Sequence, residues 1–193
     1  RDGFVIVTFS WLSTAIIGSL PFYISGAIPN ITDAFFEAMS GVTTTGATII
    51  GNSQTLPNLP NGIESLPHGI LFWRSFLQWI GGMGVIMLGL LIFSKALGGG
   101  MALARAELTG PTVSNLSTTL EGTARKLWAI YIGLTIIEGL ALYQLTDMGG
   151  FDAINYALTT MPSGGFATSD LGIMAFDDSL IESIIMVFML LTC

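Results

Sequence analysis

Two short stretches carry the most distinctive chemistry in the chain. Thr43-Thr44-Thr45-Gly46 closes one apolar segment, and Pro162-Ser163-Gly164-Gly165 closes another 119 residues later. Both are built from small residues and both end on a glycine, which tolerates positive φ and lets carbonyls turn toward an axis. Carbonyl oxygens gathered in rings replace the water shell of a cation, which is how a selectivity filter works. One helix ending on glycine is weak evidence, because glycine ends many helices. Two copies in register are much stronger.

The register extends upstream. Residues 32–48 read TDAFFEAMSGVTTTGAT, and residues 151–168 read FDAINYALTTMPSGGFAT. A gapless shift of 119 sets Asp33 on Asp152, Ala34 on Ala153, Ala38 on Ala157 and Gly46 on Gly165. Each stretch starts acidic, continues mostly apolar, and ends in a small-residue turn. The apolar part, about ten residues, is too short to cross a bilayer, so it reads as a half-crossing or interfacial helix. Thr32 or Asp33 can cap the first of these, and the C-terminal carbonyls then direct partial negative charge at the loop. Irregular backbone at membrane depth is tolerated only when buried in protein or lining a wet path.

Spans must flank such loops. Residues 4–28 carry no charge, residues 69–93 carry only Arg74, and residues 127–146 carry only Glu138. Residues 180–193 begin a fourth span that is too short to cross, and Arg1 stands directly before the first span without an initiator Met. The chain therefore reads as a piece of something longer. The expected organisation is a repeat over 1–100 (pore helix 33–42, loop 43–48) and a cytoplasmic connection over 101–123. A truncated second repeat over 124–193 follows (pore helix 152–161, loop 162–168), related to the first by a parallel repeat.

Composition agrees. Of 193 residues, 51% are hydrophobic and 10% charged, against about 25% charged in soluble domains. That excludes an ordinary cytosolic enzyme and a disordered chain, and six Lys+Arg against thirteen Asp+Glu leave no basic surface for nucleic acid. The lone Cys193 excludes a disulfide framework. With Arg1 inside, Lys95, Arg105, Arg125 and Lys126 return to the cytoplasmic side, as the positive-inside rule asks. The outer face receives Asp33, Glu37, Glu64, Asp147, Asp152, Asp170, Asp177, Asp178 and Glu182, either a cation-attracting vestibule or a solvated loop surface.

These residues resemble the TrkH/TrkG branch of the Trk/Ktr/HKT superfamily of potassium transporters. The resemblance runs through SLPF (19–22), residues 32–48, LFWRSFLQWIGGMGV (71–85), RAELTGP (105–111) and GGFATSD (164–170). It implies an all-α membrane fold of repeated membrane helix–pore helix–filter loop–membrane helix units, pseudo-fourfold around one pore in the full chain. It implies filter carbonyls from Thr44, Thr45 and Gly46 and from Ser163, Gly164 and Gly165. Thr43, Glu37, Asp33 and Asp152 would stand behind them. The family's loop glycine favours potassium over sodium, and both matching positions here are glycine; Pro162 departs from the first loop's pattern. Potassium is the implied ion, with no organic cofactor. A homodimer, a cytosolic nucleotide-binding partner of the TrkA type and a multi-pass setting in the bacterial inner membrane are also implied. The family's gating loop and its arginine below the filter belong to later repeats.

Other residues have plainer readings. Arg74 snorkels or pairs with Glu37 or Glu64, a structural ion pair being favoured over a transport role. Glu138 is either a functional carboxylate or a neutral packing residue. Gly81, Gly82, Gly84 and Gly89 suit close helix packing rather than phosphate binding. Residues 102–108 suit a short surface helix. The competing functions are a sodium-permeable or sodium-coupled relative, an intramembrane serine hydrolase using Ser163 and His68, and a non-conducting membrane scaffold. The hydrolase lacks a nucleophile motif, and the scaffold leaves two matching glycine loops unexplained.

Overall fold

The computed structural model describes residues 2–51, 62–105 and 113–192, and among them there is helix, turn and loop but no strand. Six helices follow in order: α1 (Asp2–Ile24), α2 (Ile31–Val42), α3 (His68–Arg105), α4 (Val113–Leu145), α5 (Gly150–Thr160) and α6 (Ser179–Thr192). Two 3-10 turns, Gly62–Ser65 and Gly172–Phe176, precede α3 and α6. A long helix followed by a short one is the order in each half; the first half closes with the 38-residue α3, the second with the 14-residue α6.

Local chemistry sets the boundaries and moves several from their expected places. α1 ends at Ile24 rather than 28, because Gly26 adopts φ 74° and the Ile28 N–H turns back to the Phe22 carbonyl at 3.1 Å. The first short helix, α2, begins at Ile31, two residues before the expected start. Its cap is Asn30, whose side chain accepts from the Thr32 N–H at 3.0 Å, so neither Thr32 nor Asp33 is the cap. Asp33 sits in the first turn, where a carboxylate complements the helix dipole. α5 starts behind Gly149 with no side-chain cap and ends at Thr160 instead of 161.

The polar connection expected over 101–123 is largely helix. α3 runs through Gly98–Gly100 to Arg105, and α4 starts at Val113, with 106–112 outside the described residues. Glycine costs only about 1 kcal/mol relative to alanine inside a helix, too little to stop one without a cap or a proline. The surface helix expected over 102–108 is thus, as far as Arg105, the end of α3. Cys193 also lies outside the described residues.

Val7–Ile24 and Gly122–Leu145 are long and apolar enough to cross a membrane, and α6 is a shorter apolar helix. Phe9, Ile17 and Ile24 on α1 and Ile130, Ile136 and Ile137 on α4 face outward. Polar groups go inward: Glu37, Arg74, Ser75, Gln78, Glu138, Asn155, Thr159 and Thr160 are buried. In lipid the hydrophobic effect does not drive helix against helix, so packing and interhelical hydrogen bonds hold the assembly together. Phe22, Ile28, Ala34, Ala38 and Leu77 form the core of the first half, and Leu142, Met148, Ala153, Tyr156 and Ile181 that of the second. Met83, Tyr131 and Met161 join the halves. The Trp79 indole donates to Thr135 Oγ1 at 3.0 Å, and Tyr131 Oη donates to the Trp79 carbonyl at 3.1 Å.

The glycines of α3 are points of close approach. A Cβ on Gly81 would strike the Val42 carbonyl at the end of α2, and one on Gly82 would strike Pro162 just beyond α5. At Gly84 the nearest atoms belong to the Trp11 ring, at 3.6 Å. Gly81→Ala is therefore expected to lower stability by about 1–3 kcal/mol through overpacking. Gly84→Ala should be neutral or raise it by roughly 0.5–1 kcal/mol, the usual helix preference. Thermal unfolding of both variants in detergent checks the pair, and equal midpoints would contradict it.

Candidate ion-binding site

Each short helix runs into its loop by the same hydrogen bonds. After α2, the Thr44 N–H donates to the Gly41 carbonyl at 2.9 Å and the Thr45 N–H to the Ser40 carbonyl at 3.0 Å. After α5, the Ser163 N–H donates to Thr160 at 2.8 Å and the Gly164 N–H to Thr159 at 2.9 Å. Every donor and acceptor is displaced by the same 119 residues. Backbone hand repeats too: Thr44 and Ser163 have φ 55° and 52°, and Gly46 and Gly165 have 75° and 81°. The residues between and beside them stay at negative φ. Alternating hand turns successive peptide planes so that neighbouring carbonyls can face one side. A threonine at positive φ is strained, and such strain collects at functional positions.

The one break in this correspondence is Pro162. The matching Thr43 donates its N–H to the Met39 carbonyl at 2.9 Å and its hydroxyl to the same oxygen at 2.7 Å. Proline has no N–H to give, yet the turn after it is unchanged. The second loop therefore keeps its shape without that bond, and Pro162 packs against Gly82 instead.

Carboxylates hold the far ends of both loops. Glu37, fully buried, accepts from Thr48 Oγ1 at 2.9 and 3.1 Å and from the Ile49 N–H at 3.2 Å. Asp152 accepts from Thr168 Oγ1 at 2.6 Å. The two acids do the same work from different turns of their helices, because Tyr156 takes the place that Glu37 has in α2. The first loop is also tied to its own helix by Ser40 Oγ, which donates to the Ala47 carbonyl at 2.5 Å.

The loops meet each other and α3. A Cβ on Gly46 would collide with the Gly164 carbonyl oxygen, so these two positions lie in contact. Arg74, 1% exposed, donates from Nε to Glu37 at 2.9 Å and from Nη2 to Thr48 Oγ1 at 3.3 Å. Its Nη1 donates to the Ala167 carbonyl at 3.1 Å, and its guanidinium lies 4.2 Å from the Phe166 ring centroid. One side chain thus grips both loops. One turn further, Gln78 donates from Nε2 to the Gly164 carbonyl at 2.8 Å and accepts the Phe166 N–H at 3.2 Å.

Two helix–loop units that share the same pair of turn bonds, with hydroxyls and glycines at the turn, offer oxygens and no nucleophile arrangement. The whole chain, residues 1–193, matches the family described as TrkH, cation transport protein. The chain belongs to the TrkH family. It is 45% identical over 195 residues to the Trk system potassium uptake protein TrkH of Escherichia coli K12, covering all of this chain and 38% of that protein. It is 37% identical to the Trk system potassium uptake protein TrkG of the same strain, with the same coverage. The crystal structure of the potassium transporter TrkH from Vibrio parahaemolyticus superposes with TM-score 0.77 at 41% identity, over 99% of this chain and 36% of that one. The chain thus spans about 38% of the length of these curated relatives, which are named as uptake proteins and not as enzymes. Its fold is the all-α membrane fold of repeated units expected from the sequence.

Within this TrkH-family fold the candidate residues lie in the two loops or are bonded to them, as Glu37 and Asp152 are, apart from Asp33, which lies in the first turn of α2. Thr45, Ser163 and Gly165 are exposed, Thr44 and Gly46 half-buried, and Gly164 buried. Thr43 Oγ1 lies 2.8 Å from Thr45 Oγ1, bracing the first loop from within. Arg74 pairs with Glu37 and does not snorkel, while Glu64 accepts from Ser169 Oγ at 2.6 Å across the repeat boundary. Asp170 spans the same boundary, accepting the Ile63 N–H at 3.0 Å. His68 stacks on Phe151 with centroids 4.2 Å apart. Glu138 is fully buried on α4. Sequence reasoning passed over Gln78 and missed the second half of the Arg74 contacts. The signal was present: Arg74, Gln78, Gly81 and Gly82 fall at i, i+4, i+7 and i+8, one face of a helix.

Proposed function

We propose that this chain supplies two of four repeats of a potassium-translocating membrane subunit, which passes partly dehydrated ions through one carbonyl-lined pore. Thr44, Thr45 and Gly46 contribute from one repeat, and Ser163, Gly164 and Gly165 from the next. The observation that carries this reading is the repeated φ alternation and turn bonding at a constant offset. A filter needs equivalent oxygens at equivalent heights around an axis, and packing alone has no need for two loops to share the same turn bonds and the same alternation of φ. The C-terminal ends of α2 and α5 add partial negative charge behind the loops, which favours a cation. The names of the relatives supply potassium as the transported ion. The setting in a bacterial inner membrane, the homodimer and the cytosolic nucleotide-binding partner of the TrkA type belong to the same proposal and rest on the family resemblance.

Ion flux tests it. The full-length protein carrying this sequence, reconstituted in liposomes, should take up rubidium or potassium at least about tenfold faster than sodium, a preference of about 1.4 kcal/mol. Equal rates for the two ions would favour a sodium-permeable relative. No flux of either would leave the loops as packing features.

A further inference from the structure

Gln78 stands on α3, in the first repeat, yet both ends of its amide are committed to the second repeat's loop. Nε2 donates to the Gly164 carbonyl at 2.8 Å, and Oε1 accepts the Phe166 N–H at 3.2 Å. The two bonds straddle Gly165, the residue at φ 81°. Gln78 is fully buried, so neither bond competes with water. The Gly164 oxygen it holds is the same atom that a Cβ on Gly46 would strike. The order in space is therefore α3 amide, second-loop carbonyl, first-loop glycine.

We propose that Gln78 is a specificity-determining positioning residue. Its amide sets the position and the field strength of the Gly164 carbonyl, and through that carbonyl the separation of the two loops. The inference rests on the filter reading above and adds to it which side chain tunes the filter. A carbonyl oxygen has two lone pairs. One is engaged by Gln78, which fixes the direction of the other and weakens its pull on a cation. Number and field strength of coordinating carbonyls are among the quantities that separate potassium from sodium. The Phe166 bond does the complementary task, holding the next peptide plane, Gly165–Phe166, so that both planes flanking Gly165 are fixed by one amide.

The donor–acceptor arrangement gives a test that a purely structural role would not pass. Gln78→Met keeps the length of the side chain and loses both hydrogen bonds. Gln78→Glu loses only the donor when ionised, since a carboxylate is acceptor-only, and regains one donor and one acceptor when protonated. Rubidium and sodium flux are measured in liposomes for the full-length wild type and both variants over a range of external pH. Each variant is read relative to wild type at the same pH.

Gln78→Met should lose about tenfold in rubidium-over-sodium preference at every pH, the equivalent of about 1.4 kcal/mol. Gln78→Glu should be as poor at alkaline pH and recover toward wild type as the pH falls. Wild-type selectivity in both variants, or an equal, pH-independent loss in both, overturns the inference. So does loss of all flux in both, which assigns Gln78 to folding alone. A wild type that itself shows no preference removes the filter reading, and this inference with it.

Discussion

Gly46→Ser and Gly46→Ala in the full-length protein are both expected to lose potassium-over-sodium preference by roughly tenfold or more, the factor that about 1.4 kcal/mol represents. Two independent costs converge at this residue. Its φ of 75° lies in the left-handed region, where an L side chain costs about 1–2 kcal/mol. Any Cβ there also collides with the Gly164 carbonyl oxygen, which is backbone and is held in place by Gln78. Relief requires one loop to withdraw, and the atoms that move are the proposed ion ligands. Selectivity is therefore the sensitive readout, ahead of stability. Comparing the variants separates mechanisms, because both carry the Cβ and only serine carries a hydroxyl. If alanine discriminates as well as glycine while serine does not, the effect is chemical and the steric account of Gly46 is wrong.

Arg74→Met should be the most destabilising single change of those considered. The guanidinium is 1% exposed and the partner carboxylate 0%. Removing one partner of a buried ion pair leaves the other charge uncompensated, at a cost of about 3–5 kcal/mol. Glu37→Met has the same fault with the opposite sign. Replacing both together strands no charge, and buried pairs exchanged for apolar residues are often neutral. The double variant should thus unfold at a higher temperature than either single one. It should still discriminate ions poorly, because the links to Thr48, Ala167 and Phe166 are gone. Thermal unfolding in detergent and ion flux together check this. A double variant no more stable than Arg74→Met would show that the pair is not the source of the cost.

The repeat was legible because Asp33, Ala34, Ala38 and Gly46 find counterparts without a gap, and backbone geometry follows such registers closely. The helix starts were less legible. Asn30, Thr32 and Asp33 are all competent caps, and the choice among them depends on which N–H groups the incoming turn leaves unpaired. At α5 no side chain caps the start, since Gly149 and Gly150 offer none, and only Asp152 in the first turn marks it. The length of α3 was hidden by three consecutive glycines, whose cost falls short of breaking a long helix. Hardest to read were the contacts across the repeats. Arg74 to Ala167 spans 93 positions and Gln78 to Gly164 spans 86. Periodicity tells which residues share a face of α3, but not which neighbour that face meets.

The placement of Arg74 and Gln78 has a consequence for biosynthesis. A chain made from its N-terminus has α3 available before residues 162–168 have been synthesised. The second loop thus emerges onto a surface whose hydrogen-bonding groups already await it. Its own repeat, from α4 to α6, supplies the Asp152 tether to Thr168 but neither the guanidinium nor the amide. Assembly of these two halves consequently has a direction, in which α3 of the first acts as a mould for the loop of the second.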